Sequence, residues 1–176
     1  ERLHAAIVQV VRSPDFEAEA AAQGHVTTAA ENHYAAAILY TPAVWAITDD
    51  DDLLRKLYER INAGYAAWMK HAPHKVERVE LPFGKGKLPA YWHLPPGYSG
   101  GRLPTVLASG GMDTRKELVV AQYGDRFLSR GFAVLTVDGP GRGEAPLLGS
   151  YVTENNWIEA GEVFMQFLLG RPEVDP

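Results

Sequence analysis

Glycine turns that follow apolar runs, and clusters of titratable side chains, are the places where this sequence could do chemistry. Ser109-Gly110-Gly111-Met112-Asp113 closes the apolar run PTVLAS at 104–109. Two adjacent glycines let the backbone turn sharply and leave amide N–H groups accessible. At the tip of a strand such groups can hold an oxyanion during acyl transfer. An ordinary glycine turn fits the same residues equally well.

Three other patterns are weaker. Gly97-Tyr98-Ser99-Gly100-Gly101 matches the Gly-x-Ser-x-Gly nucleophile pattern. A nucleophile elbow needs a strand before it and a helix after it. Here Pro95-Pro96 precede it and Arg102-Leu103-Pro104 lead into a strand, so Ser99 belongs to a connecting loop. Gly139-Pro140-Gly141-Arg142-Gly143 follows an apolar run, as a dinucleotide fingerprint would, but the sixth position is Glu144. Pro140 also removes a backbone donor and a carboxylate repels pyrophosphate, so nucleotide binding is disfavoured. Of the six histidines, His71 and His74 flank Ala72-Pro73, which breaks the helical spacing of a metal pair and predicts a surface loop. His33 and Tyr34 could face a pocket, with packing in a helix as the plainer reading. The run Asp49-Asp50-Asp51-Asp52 lacks the glycine and closing Glu of a calcium loop and suits a helix N-terminus.

The elements that position these residues change character near residue 72. Before it the chain is Ala-rich and reads as helix: 2–12, then two stretches within 16–40 split at Gly24, the second ended or restarted by Pro42. The clearest helix is predicted at about 50–70, with Leu53, Leu54, Leu57, Ile61, Tyr65 and Trp68 on one face. From Val79 the period becomes two. Val79, Leu81 and Phe83, then Leu88, Ala90, Trp92 and Leu94, predict a hairpin with one buried face around Gly84-Lys85-Gly86-Lys87. Residues 104–109, a helix at about 115–130 closed by Gly131, and 132–137 predict a β-α-β unit with parallel strands. A last helix should bury Trp157, Gly161, Phe164 and Leu168 and end at Gly170 and Pro172. The sheet then has about four strands, and no strand receives that helix before Pro176.

The fold class is therefore α/β with a helical N-terminal part. Formal net charge is −5, which argues against nucleic acid as a partner. With no cysteine, disulfides and Cys-based sites are excluded, and no apolar run reaches the length of a membrane span. The expected home is cytoplasmic. Glu1 in place of Met leaves room for a removed upstream segment.

Three stretches together resemble a group of α/β-hydrolases that includes 2,6-dihydroxypseudooxynicotine hydrolase, the FrsA-like proteins and the fungal polyketide-shortening hydrolases. They are Gly24-His25-Val26-Thr27-Thr28-Ala29-Ala30 with Ala36-Ala37-Ile38-Leu39-Tyr40, then Gly110-Gly111-Met112-Asp113-Thr114-Arg115-Lys116-Glu117, then Arg130-Gly131-Phe132-Ala133-Val134 with Asp138 to Glu144. The likeness runs over roughly residues 15–176. It implies an α/β-hydrolase fold, incomplete in this chain, with residues 1–72 as a helical cap and 73–176 as the first part of the core. The serine, the acid and the histidine come later in that fold's order, so none of the six histidines fills the catalytic slot, and a downstream half of the same hydrolase is the expected partner.

The resemblance implies that Gly111 and Met112 form the oxyanion turn, with the Met112 N–H as donor. Asp113, Lys116 and Glu117 then hold the loop and the helix start. Asp138 and Glu144 fall near the strand ends, Glu144 being the better site candidate. Tyr34, Asp113 and Glu144 are the candidates to line a substrate, with Tyr40, Trp45 and Trp68 as further aromatics. Relatives often carry Arg in the helix that reads Tyr34-Ala35-Ala36-Ala37 here, which implies a different substrate. The implied activity is serine-type hydrolysis of an ester or a carbonyl-activated C–C bond in a small, aromatic or polyketide substrate. No metal or cofactor is implied, and a homodimer is conceivable. The alternative is a non-catalytic binding or regulatory protein on the same scaffold.

Overall fold

The structure, a computed structural model, describes residues 26–45, 51–111, 114–120 and 125–176. The chain divides into two compact units, Glu1–Ala72 and Pro73–Pro176. The helix expected at 2–12, the Gly24 break, Asp49 and Asp50 lie outside the described residues.

The first unit contains helix α1 (Val26–Trp45) and helix α2 (Asp51–Met69). Helix α1 neither ends nor restarts at Pro42 but runs through it. Proline lacks the N–H that would bond the Ile38 carbonyl one turn back. The Thr41 hydroxyl donates to that carbonyl at 2.6 Å, so the orphaned acceptor is satisfied locally. Helix α2 buries Leu57, Tyr58, Ile61, Tyr65 and Trp68, while Leu53 is 38 % exposed, so the apolar stripe starts a turn later than its sequence suggested. Gly64 allows α2 close to α1: a Cβ there would stand 3.1 Å from the His33 carbonyl oxygen.

The second unit is a four-stranded sheet in the order β1-β2-β4-β3, with β1 Val76–Phe83, β2 Gly86–His93, β3 Thr105–Ser109 and β4 Ala133–Val137. The hairpin closes tightly, with Phe83 opposite Gly86 and Gly84 at φ 56°. Strand β3 runs parallel to β4, as the β-α-β reading requires. Its crossover includes two short helices, α3 (Lys116–Val119) and α4 (Asp125–Leu128). Gly131, at φ 81°, donates to the Leu128 carbonyl and ends α4.

One expectation fails in an instructive way. The hairpin was expected to bury one face, yet β2 is buried from Leu88 through His93. It is an interior strand, paired with β1 on one side and β4 on the other. Leu88, Ala90, Trp92, Leu135 and Val137 share one core with helix α5 (Asn156–Leu169). On α5 the fully buried positions are Ala160, Phe164 and Leu168, whereas Trp157 and Gly161 are half-buried. After α5, Val174 makes an isolated parallel bridge with Leu103, outside the four strands. The Leu103 N–H donates to Glu173 O at 2.7 Å and the Asp175 N–H to Leu103 O at 3.0 Å. Among the described residues no strand follows α5, as the sequence predicted.

Candidate active-site turn and its buried charge network

Strand register sets up the polar side of the sheet before any loop is considered. Arg78 pairs with Tyr91, Tyr91 with Thr136, and Thr136 with Ala108. Alternation puts these residues on the face opposite the α5 core. Asp138, just past β4, continues the Val134–Thr136 side, and its own N–H donates to the Pro89 carbonyl at 3.1 Å.

Onto this face comes the start of α3. The Lys116 N–H donates to Asp138 Oδ1 at 2.9 Å, and Lys116 Nζ donates to Asp138 Oδ2 at 3.2 Å and Glu144 Oε2 at 2.9 Å. The Glu144 N–H donates to Asp138 Oδ2 at 3.2 Å. Arg78 Nη2 reaches both Glu144 oxygens at 3.0 Å each and also Glu80. Arg78 Nη1 stands 3.4 Å from the Tyr91 hydroxyl, and the Lys116 ammonium lies 5.5 Å above the Tyr91 ring centroid. Glu117 Oε1 lies 2.6 Å from Lys116 Nζ as an ion pair.

Two cations thus face three carboxyl groups in a region where Lys116 and Glu117 are fully buried. Burial opposes the charge on Lys116, yet Glu117, Asp138 and Glu144 hold its pKa well above the ordinary lysine value. Burial raises the Glu117 carboxyl. Lys116 pulls it down and Asp138 pushes it up again, with a net rise. Burial also works against Arg78, but Glu144 and Tyr91 keep it raised, and burial raises the Tyr91 phenol.

The turn after β3 is built on this base. The Thr114 N–H donates to Gly111 O at 3.0 Å. Arg142 Nη2 donates to Thr114 O at 2.9 Å. A Cβ at Gly110 would stand 2.1 Å from Thr114 Cβ, so the position admits only glycine. Gly111 is exposed, and among the described residues nothing lies within 4 Å of where its Cβ would be. Met112 and Asp113 lie outside the described residues.

The other sequence candidates are spread apart. Tyr34 packs in the first unit against Tyr65 and Trp68, with centroids 6.0 and 4.9 Å away. Glu144 is buried and ion-paired to Lys116 and Arg78. Ser99 is exposed in a loop where Gly97, Gly100 and Gly101 take positive φ, with no strand leading into it. The glycines at 139–143 serve packing. The Trp157 ring covers Gly139, and a Cβ at Gly143 would meet the Asp138 carboxylate at 2.1 Å. The anion this loop wraps is its own Asp138. His74 lies in a loop, as its flanking Ala72-Pro73 predicted, but half-buried, with its Nε2 3.0 Å from Nδ1 of the fully buried His93. His71 is exposed. Among the described residues no group of three or more His, Asp or Glu is placed to hold a metal ion, and no helix is long and apolar enough to cross a membrane.

The sequence reading did not single out Arg78 and Tyr91. Their signal was present as the polar positions of the two hairpin strands, opposite Val79 and Ala90, but nothing in it announced a shared partner.

The second unit has the first part of an α/β-hydrolase fold. The structure resembles the crystal structure of 2,6-dihydroxy-pseudo-oxynicotine hydrolase, with TM-score 0.73 and 24 % identity over 90 % of this chain and 43 % of that one. AbyA5 gives TM-score 0.61 and 22 % identity over 92 % and 42 %. The family model described as esterase FrsA-like matches residues 13–149, and the chain belongs to that family. The α/β-hydrolase pydG of an Acremonium species is 30 % identical over 77 % of this chain and 32 % of its own length. Esterase FrsA of Photobacterium profundum is 29 % identical over 69 % and 29 %. The chain spans about a third of the length of these curated relatives.

Proposed function

We propose that the protein carrying this chain is a serine hydrolase, and that Gly111 and Met112 supply one N–H of its oxyanion hole. The observation that carries the reading is the glycine turn at the C-terminal end of parallel strand β3, tied down by Arg142 and Lys116, in a chain of this family. Sites in α/β sheets lie beyond the carboxyl ends of the strands. The serine, the acid and the histidine are assigned to segments outside residues 1–176, since the one Gly-x-Ser-x-Gly match is an exposed loop.

In this scheme the serine attacks a carbonyl, the histidine takes its proton, and the charge that develops on the carbonyl oxygen is met by the Met112 N–H and a second amide beside the serine. Ester cleavage is the first reaction to assay, because relatives named as esterases are among the matches; hydrolysis of a C–C bond beside a carbonyl is the second. Asp113 and Glu144 remain candidates near the substrate, and the ion pairs of Glu144 favour support over contact. The test is labelling of the full-length protein with a serine-directed fluorophosphonate. A single labelled serine following a strand is expected. A folded protein that resists the reagent refutes the hydrolase reading and favours a binding role on the same scaffold.

A further inference from the structure

We propose that Lys116 is the positioning residue of the segment Thr114–Lys116 that leads into α3, acting through Asp138 and Glu144 rather than by touching substrate. The catalytic consequence rests on the hydrolase reading above; the structural claim does not.

A buried ammonium is a poor device for stability alone, because an apolar side chain of similar size avoids its desolvation. It is a good device for orientation when its partners come from separate segments. The carboxyl groups around Lys116 come from its neighbour Glu117, from Asp138 just past β4, and from Glu144 six residues later. Asp138 grips the same residue twice, through the backbone N–H and through Nζ. Arg142, from that same loop, holds the Thr114 carbonyl. Arg78, from β1, fixes Glu144 with both carboxylate oxygens. The start of α3 is therefore fastened to one loop, 138–144, and that loop is braced by Arg78 to the edge strand β1 on the same face of the sheet. Gly110 is crowded by Thr114.

The test uses the full-length protein with Lys116→Met, which keeps side-chain length and removes the charge. Hydrogen exchange is expected to accelerate at the amides of 114–116 while β4 keeps its protection. With p-nitrophenyl acetate as the probe, kcat is expected to fall about a hundredfold, the size of effect a misplacement of about 1 Å produces, and KM to stay within about threefold. Unchanged exchange at 114–116 overturns the positioning role. So does unchanged kcat once the segment is loosened, or exchange that rises equally in β4. If Lys116→Met does not fold, Glu144→Gln is read in the same two ways, with a smaller loss of kcat. A wild-type protein that neither cleaves the ester nor takes the phosphonate removes the hydrolase reading alone, and exchange still decides the role of Lys116.

Discussion

On the side of the sheet covered by α5, Leu88, Trp92, Leu135 and Val137 meet Ala160, Phe164 and Leu168. On the other side, Arg78, Tyr91, Lys116, Asp138 and Glu144 meet one another. The first contact is non-directional. Any apolar side chain of the right volume serves, and the stabilisation scales with area removed from water. The second depends on atoms. Each oxygen has a donor at hydrogen-bond distance, and removing one partner leaves another buried charge uncompensated. Thr114 and Lys116, at the start of α3, rest on the second kind of contact.

The largest expected effects test that contrast directly. Phe164→Ala and Asp138→Ala should each cost about 3–5 kcal/mol in urea unfolding at neutral pH. Phe164→Leu should then recover most of its loss, because volume is what the α5 side needs. Asp138→Leu should recover nothing, because the N–H of Lys116, its ammonium and the N–H of Glu144 still lack their acceptor. Equal recovery on both sides would erase the distinction.

Within the turn, Gly110→Ala should cost about 1–3 kcal/mol by overpacking against Thr114. Gly111→Ala should be close to neutral, since among the described residues nothing lies within 4 Å of its Cβ position. Thermal melts of the two variants separate them, and equal melting points would refute the crowding at Gly110.

The burial of Glu117 makes a smaller prediction about pH. A raised Glu117 pKa means that the folded state holds the proton more tightly than the unfolded chain. Stability from this group is present below its ordinary value near 4.5 and is lost as pH rises through the folded value. Glu117→Gln, which imitates the protonated acid, should be nearly as stable as wild type and should remove that downward slope. A variant that keeps the slope would place the proton elsewhere.

His93 runs the other way. Burial, and then His74, depress its pKa well below 6.5. Its contribution is full above 6.5 and is lost as pH falls towards the folded value, because the unfolded chain protonates first. Comparing wild type with His93→Gln between pH 7.5 and 5.5 should show the acid-side loss in wild type only; identical curves would remove His93 from the account.

The sequence predicted what depends on short-range pattern. The period of two in β1 and β2, the apolar runs of β3 and β4, and the helix of 51–69 follow from which residues must leave water. The glycine turn was visible too, because glycines after an apolar strand have few other uses. Misses came where a side-chain bond or a distant segment changed the local answer. Thr41, next to Pro42, takes the carbonyl that proline cannot bond, and α1 runs on. Strand β2 proved buried on both faces because α5 covers Leu88 and Trp92 and α3 lays Lys116 against its Tyr91 side.

The charge network was decided by tertiary structure alone. Lys116 reaches partners 22 and 28 residues away, and Arg78 reaches Glu144 across 66. By composition and spacing each of these is an ordinary charged residue; the family resemblance marked Lys116, Asp138 and Glu144 but not Arg78 or their shared contacts. Only the fold brings them within 3.2 Å of one another, where loss of water makes each charge depend on the others, and so turns separate residues into one support for the start of α3.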